Sequence, residues 1–148
     1  MKQLKTIVAA ATLLFATSAF AKGPEKVSST VKAEFAKSFT EASNVKWEKN
    51  ADFYFASFVI NETDASAAYN EKGELVGFSR VIANDQLPLN VSLAIAGKYQ
   101  GYTVAKTATE LTYEDQTSYY ISVENDKQLL KLQCSANGDI TVKEKLKK

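Results

Sequence analysis

Apolar and polar positions change period several times along this chain, and each change marks an element. Ser28 or Ser29 is placed to cap a helix starting near Thr30, in which Val31, Phe35 and Phe39 recur at helical spacing, with Ala33, Ala36 and Ala42 between them. Asn44 is a candidate stop. From Val45 to Lys49 apolar and charged residues alternate, the pattern of a half-buried strand. After the turn at 50–52, Phe53 to Ile60 is an aromatic and β-branched strand, followed by a turn at 61–64 and strands at 65–69 and 75–82. Between the last two lies Asn70-Glu71-Lys72-Gly73, which fits a type I turn with the glycine at positive φ. Pro88 sets up a second helix from Leu89 to about Tyr99, with Val91, Ile95 and Tyr99 on one face, and Gly101 ends it. Further strands are expected near 102–110, 118–124, 129–134 and 139–146.

The second half copies the first at a spacing of about 65 residues. Tyr54 to Phe58 falls on Tyr119 to Val123, Gly73 on Gly138, Leu75 on Ile140 and Arg80 on Lys145. The expected fold is therefore α+β: tandem α-β4 repeats, about 27–82 and 86–148, forming one antiparallel sheet with two helices packed on one face. Alternation along each strand then sorts side chains. Tyr54, Ala56, Phe58, Tyr119, Ile121, Val123, Leu130, Leu132, Cys134, Leu75, Ile140 and Val142 are expected under the helices. Phe53, Phe55, Val76, Phe78, Arg80, Tyr120, Lys143 and Lys145 are expected on the opposite, open face. An uncovered antiparallel face is normally polar, so its phenylalanines are unusual.

Residues 1–21 have the order of a secretory signal: Lys2 and Lys5, an apolar stretch from Ile7 to Phe15, and Ala19-Phe20-Ala21 as a cleavage site. That stretch is too short for a membrane span, and no later segment is long and apolar enough for a stable membrane anchor. The expected protein is one domain, 22–148, periplasmic or secreted.

Composition narrows the chemistry. The chain has 18 Lys and Arg against 17 Asp and Glu, so its net charge is +1. Without Lys2 and Lys5 the balance becomes 16 − 17 = −1, which points away from nucleic acid as the partner. One cysteine and no histidine exclude an intramolecular disulfide, the usual zinc sites and any imidazole base. No nucleophile has a base placed beside it, so the protein is expected not to be an enzyme, and no cofactor or metal is expected.

The stretches Asn44-Val45-Lys46-Trp47-Glu48, Phe53-Tyr54-Phe55-Ala56-Ser57-Phe58 and Ala68-Tyr69-Asn70-Glu71-Lys72-Gly73-Glu74-Leu75 resemble the PepSY-like, β-lactamase-inhibitor-like family of secreted bacterial proteins. Leu87-Pro88 and Asn137-Gly138-Asp139-Ile140 fit the same pattern. The resemblance covers about 24–148. It implies an export signal, tandem α-β4 units and a sheet whose open concave face binds a protein.

The expected function is thus an exported, non-enzymatic and inhibitor-like binding module, gripping a protein through Phe53, Phe55, Phe78, Arg80 and Tyr120. Self-association as an envelope protein and carriage of a small ligand are the alternatives. The three phenylalanines read equally as a seam packed against a loop, a tail or a second copy. Trp47 reads as core under the first helix or as a binding anchor. Cys134 reads as a small buried hydrophobe, since no basic cluster flanks it to lower its pKa. Loop carboxylates at Asp52, Glu62, Asp64, Glu71 and Glu74 lack any calcium-loop spacing and read as solvated turns. The lysines of 143–148 read as protection of an edge strand or as contacts to an anionic envelope ligand.

Overall fold

The computed structural model describes residues 26–148, and the signal read at 1–21 lies outside the described residues. In chain order the elements are α1 (Ser29–Ser38), β1 (Ser43–Asn50), β2 (Phe53–Ile60), β3 (Thr63–Asn70), β4 (Leu75–Ala83), a 3-10 turn (Asn84–Gln86), α2 (Leu89–Lys98), β5 (Thr103–Val104), β6 (Thr107–Tyr113), β7 (Gln116–Glu124), β8 (Gln128–Ser135) and β9 (Ile140–Lys147). The nine strands form an antiparallel sheet in the order β1-β2-β3-β4-β6-β7-β8-β9, with β5 pairing β7. Two helices with this sheet make the fold α+β. By its contacts the chain divides at Val76/Gly77 into two compact units.

In the first unit the predicted periodicity of α1 is what packs it: Val31 and Phe35 are buried. Ser28 stands at the N-cap, but its side chain makes no capping bond. Phe35 is the hub of an aromatic core, with ring centroids 5.0 Å from Phe58, 5.2 Å from Phe39, 5.2 Å from Trp47 and 6.5 Å from Tyr69. Tilted and edge-on contacts of this kind suit the ring quadrupole, and each pair adds about 0.5–1.5 kcal/mol beyond area burial. Strand register follows from tight turns. Asn61 and Glu62 both sit at positive φ (50° and 60°), as a two-residue hairpin turn requires. After β3, Gly73 takes φ 83°, its N–H donates to Asn70 O at 3.0 Å, and Asn70 N–H donates to Glu74 O at 3.1 Å. Asn70 Oδ1 also accepts from the backbone N–H of Lys72 and of Glu74, each at 3.0 Å. A Cβ on Gly73 would lie 3.1 Å from Thr30 Cγ2, so this turn tucks against the first turn of α1.

The second unit has a largely aliphatic core. Val91 and Ile95 of α2 pack with Ile82, Leu87, Ala108, Ile121, Val123, Leu130, Leu132 and Cys134, closed by Tyr99 and Tyr119. The single strand expected at 102–110 is two, β5 and β6. Asn84 fixes the break: its backbone N–H donates to Lys106 O and its Nδ2 to Ala105 O, both at 2.9 Å. β5 then covers the end of β7, pairing Thr103 with Glu124 and Val104 with Val123, where β6 has stopped. The turn before β9 repeats the chemistry of the Gly73 turn. Gly138 has φ 95°, its N–H donates to Ser135 O at 3.0 Å, and Ser135 N–H donates to Asp139 O at 2.9 Å. A Cβ there would sit 2.8 Å from Asn90 O, against the first turn of α2.

The alternation argument holds for most of the core and fails at its margins. Tyr54, Ala56, Phe58, Tyr119, Ile121, Val123, Leu130, Leu132 and Cys134 are buried as expected. Leu75 and Val142 are 47% and 45% exposed: Leu75 alternates onto the side opposite Phe78 and Arg80, and Val142 pairs with core Leu132 but stands on the last strand of the sheet order. A register shift between Lys131 and Leu132 against β9 reverses the faces beyond Val142: Lys145 pairs with the core residue Leu130 and shares its side of the sheet.

Candidate partner-binding surfaces

Backbone pairing decides which side of each unit carries the six residues read from sequence as partner contacts. In the first unit Trp47 pairs with Ala56, and Ala56 with Ala67. All three lie on the α1 side, and Trp47 packs edge-on to Phe35 and 6.4 Å from Tyr69. Of its two readings, core is the one its contacts support. Phe53 and Phe55 lie on the other side with their partners Asn70, Glu48 and Ala68. Phe53 is half-buried, but Phe55 is only 8% exposed, which corrects its reading as an open anchor. Its cross-strand neighbour Ala68 is also buried.

In the second unit Phe78 and Arg80 do not share a face with Tyr120, contrary to the sequence reading. Arg80 pairs with Glu110, and Glu110 with Tyr119, whose ring belongs to the α2 core. Arg80 Nε donates to Glu110 Oε2 at 2.6 Å, and Tyr119 OH donates to Glu110 Oε1 at 3.4 Å. Phe78, two residues before Arg80, falls on the same side and is half-buried. The repeat register was extended across β4 from the first half, but β4 pairs with β6 in this unit, and that pairing sets the side. Burial pushes the Tyr119 pKa up, and neighbouring Glu110 adds to the rise while Arg80 opposes it.

Tyr120 occupies the helix-free side of the second unit. A continuous cross-strand row runs Val81, Thr109, Tyr120, Gln133, Thr141 over five strands. A second row beside it runs Ser79, Leu111, Ser118, Ser135. Gln133 Nε2 donates to Ser118 Oγ at 3.4 Å, tying the two rows together. Ser79 and Leu111 are buried, so the centre of this surface is tightly packed. Tyr120 itself is half-buried, and that burial raises its pKa. The result is a surface rich in hydroxyl and amide groups around one tyrosine ring.

Other features bear on chemistry. Cys134 is free and buried, and desolvation raises its thiol pKa, the opposite of what a reactive thiolate needs. A cavity of about 180 Å³ beside α2, lined by Asn84, Leu87, Ser92, Ile95, Ala96 and Val104, is smaller than the roughly 300–1,000 Å³ of typical ligand pockets. Sequence reasoning missed the outer side of α2, where Leu89 is 71% and Leu93 61% exposed. The signal was available: Leu89 and Leu93 stand at i and i+4, on the side away from Val91 and Ile95.

Comparison with known proteins places the fold. Among the solved structures that match, three illustrate the likeness over most of their length. A Bacteroides eggerthii DSM 20697 protein whose name proposes a periplasmic location aligns at TM-score 0.70 and 19% identity, covering 83% of this chain and 90% of that one. A DUF2874 family protein from Bacteroides uniformis ATCC 8492 aligns at 0.68 and 20%, covering 82% and 90%. A BLIP-like protein from Bacteroides fragilis NCTC 9343 aligns at 0.66 and 19%, covering 84% and 89%. The fold is BLIP-like. No family model and no curated protein matches the chain. Among the described residues no helix is long and apolar enough to cross a membrane.

Proposed function

We propose that this chain is an exported, non-enzymatic binding module that engages a protein partner through the helix-free side of its second unit, centred on Tyr120. The observation that carries this reading is the five-strand row that includes Tyr120 and Gln133, flanked by Ser118 and Ser135. Tyrosine offers a large, rigid, amphipathic contact at low entropic cost, and surrounding Ser, Thr and Gln side chains supply hydrogen bonds; binding surfaces of antibodies likewise set tyrosine among small polar residues such as serine and asparagine. Phe53, half-buried on the helix-free side of the first unit, is a separate candidate contact on that unit. Phe78 and Arg80 are assigned to the margin of the α2 core, and Trp47 to the α1 core.

The reading also takes the halves as two copies of one helix-plus-four-strand design within a PepSY-like domain. Supporting it, the turn hydrogen bonds of Asn70, Gly73 and Glu74 recur 65 positions later at Ser135, Gly138 and Asp139. Export rests on the Lys2 to Ala21 pattern, and the periplasmic name of one structural neighbour supports that compartment.

Site-specific photo-crosslinking in the native cell envelope tests the proposal. A crosslinking residue at 120 or 53 is expected to give a discrete protein adduct, and one at Lys37 on the exposed side of α1 is not. Adducts at 37 with none at 120 or 53 would overturn it. A second reading, self-association, is favoured by exposed Leu89 and Leu93. It predicts that light scattering of the full chain reports a dimer or larger species that Leu93→Lys returns to monomer.

A further inference from the structure

We propose that β9 is a docking edge for an acidic, extended segment of a partner protein, which joins the sheet as an added strand. β9 is the last strand in the sheet order, so among the described residues one of its edges has main-chain groups with no strand beyond it. Its other edge is fixed along its whole length, from Cys134 paired with Ile140 to Gln128 paired with Lys147, and Lys148 N–H donates to Lys127 O at 3.1 Å. The template is therefore already ordered, which removes much of the entropic cost of adding a strand.

Charge selects the occupant. Lys145 and Lys147 alternate on one side of the strand, and Lys143 stands beside them at the register shift. Among the described residues these three lysines make no ion pair, whereas Glu144 is held by Lys131 at 2.7 Å and Lys148 by Glu124 at 2.7 Å. The opposite terminal strand is different. β1 mixes Lys46, Glu48 and Lys49, and Lys49 reaches Glu71 at 3.9 Å and the Tyr54 ring at 5.2 Å. Two copies of β9 paired antiparallel about Lys145 would set Lys145 against Lys145 and Lys143 against Lys147, which is destabilising, so these charges disfavour a second copy in that register and favour a strand with acidic residues at alternate positions.

The test uses the full mature chain and a short labelled peptide alternating threonine and glutamate. Fluorescence anisotropy is expected to report binding that weakens with salt, and hydrogen exchange is expected to slow at β9 amides when the peptide is added. The triple variant K143E/K145E/K147E should bind it roughly tenfold more weakly and should gain binding to the threonine–lysine counterpart. Circular dichroism checks that this variant folds, and the milder K143Q/K145Q/K147Q keeps the comparison open if it does not. Peptide carrying N-methyl groups along one edge should lose binding. Equal binding of the N-methylated peptide, no binding of the acidic peptide at low salt, or binding only of vesicles rich in phosphatidylglycerol would each overturn the proposal.

Discussion

The two units solve the same packing problem with different side chains. α1 lies over strands through Phe35, which meets Phe39, Trp47, Phe58 and Tyr69, while α2 lies over strands through Val91 and Ile95 in a mostly aliphatic layer. The reason lies at the strand preceding each aromatic strand. In the first unit β1 is the outermost strand, and Trp47 supplies from one position the bulk needed over Ala56. In the second unit the corresponding strand β6 has β4 beside it, so Ala108 suffices and its neighbour Ile82 supplies the rest. A strand at the margin needs one large side chain where a flanked strand can share the volume with its neighbour.

The largest test of this contrast removes each hub. Phe35→Ala should cost about 3–5 kcal/mol, since it leaves four aromatic neighbours around a void; Ile95→Ala should cost about 2–4 kcal/mol in the more deformable aliphatic layer. Urea denaturation measures both, and a larger loss at Ile95 would reverse the assignment of the two cores.

The turn glycines sharpen the comparison next. Both have positive φ, but a Cβ at Gly138 meets the Asn90 carbonyl oxygen at 2.8 Å, whereas at Gly73 it meets a side-chain methyl at 3.1 Å. Gly138→Ala should therefore cost about 2–3 kcal/mol and Gly73→Ala about 1–2 kcal/mol, because backbone cannot move aside as a threonine methyl can. Equal losses would mean that φ alone matters at these turns.

A smaller difference is expected one step away. Asn70 Oδ1 accepts two backbone N–H groups, while Ser135 Oγ accepts one, from Asp139 at 3.2 Å. Asn70→Ala should cost about 1 kcal/mol and Ser135→Ala about half that, both read from thermal melts.

Alkaline pH should act mainly on the second unit. Burial raises the pKa of Tyr99, Tyr113, Tyr119 and Tyr120 there, Tyr113 to about 12, against Tyr69 alone in the first unit. A tyrosine whose folded pKa exceeds its unfolded value stabilises fully below the unfolded value and loses that contribution as pH rises through the folded one. Stability should thus begin to fall near pH 10.0, the unfolded reference, and continue to about 12 at Tyr113. Tyr113→Phe with Tyr119→Phe should flatten the decline in unfolding free energy above that point.

Much of this architecture was legible from residue order. Val31 with Phe35, and Val91 with Ile95, announced the helices; alternation gave β2 almost to the residue; the Asn70 to Gly73 turn was identifiable in kind, because only glycine enters positive φ at little cost. The break between β5 and β6 was not legible, since it depends on Asn84 reaching the carbonyls of Ala105 and Lys106 from distant sequence. The candidate surface was read only in part. Alternation within one strand is local, but the side occupied by Phe78 and Arg80 is set by the pairing of β4 with β6, and that of Lys145 by a register shift that moves every residue beyond it to the other side. Tyr120 is legible as a residue, but its row of Thr109, Gln133 and Thr141 comes from three different pairings and has no linear signature.

If the Tyr120 surface binds a protein, as proposed, affinity for the partner captured by crosslinking depends on that ring. Tyr120→Ala should weaken binding by at least about tenfold, equivalent to roughly 1.4 kcal/mol, in a variant that circular dichroism shows still folded at the assay temperature. Unaltered affinity in Tyr120→Ala, alongside a loss on substituting Lys32 or Lys37 of α1, would contradict the claim and move the binding surface to the helix side.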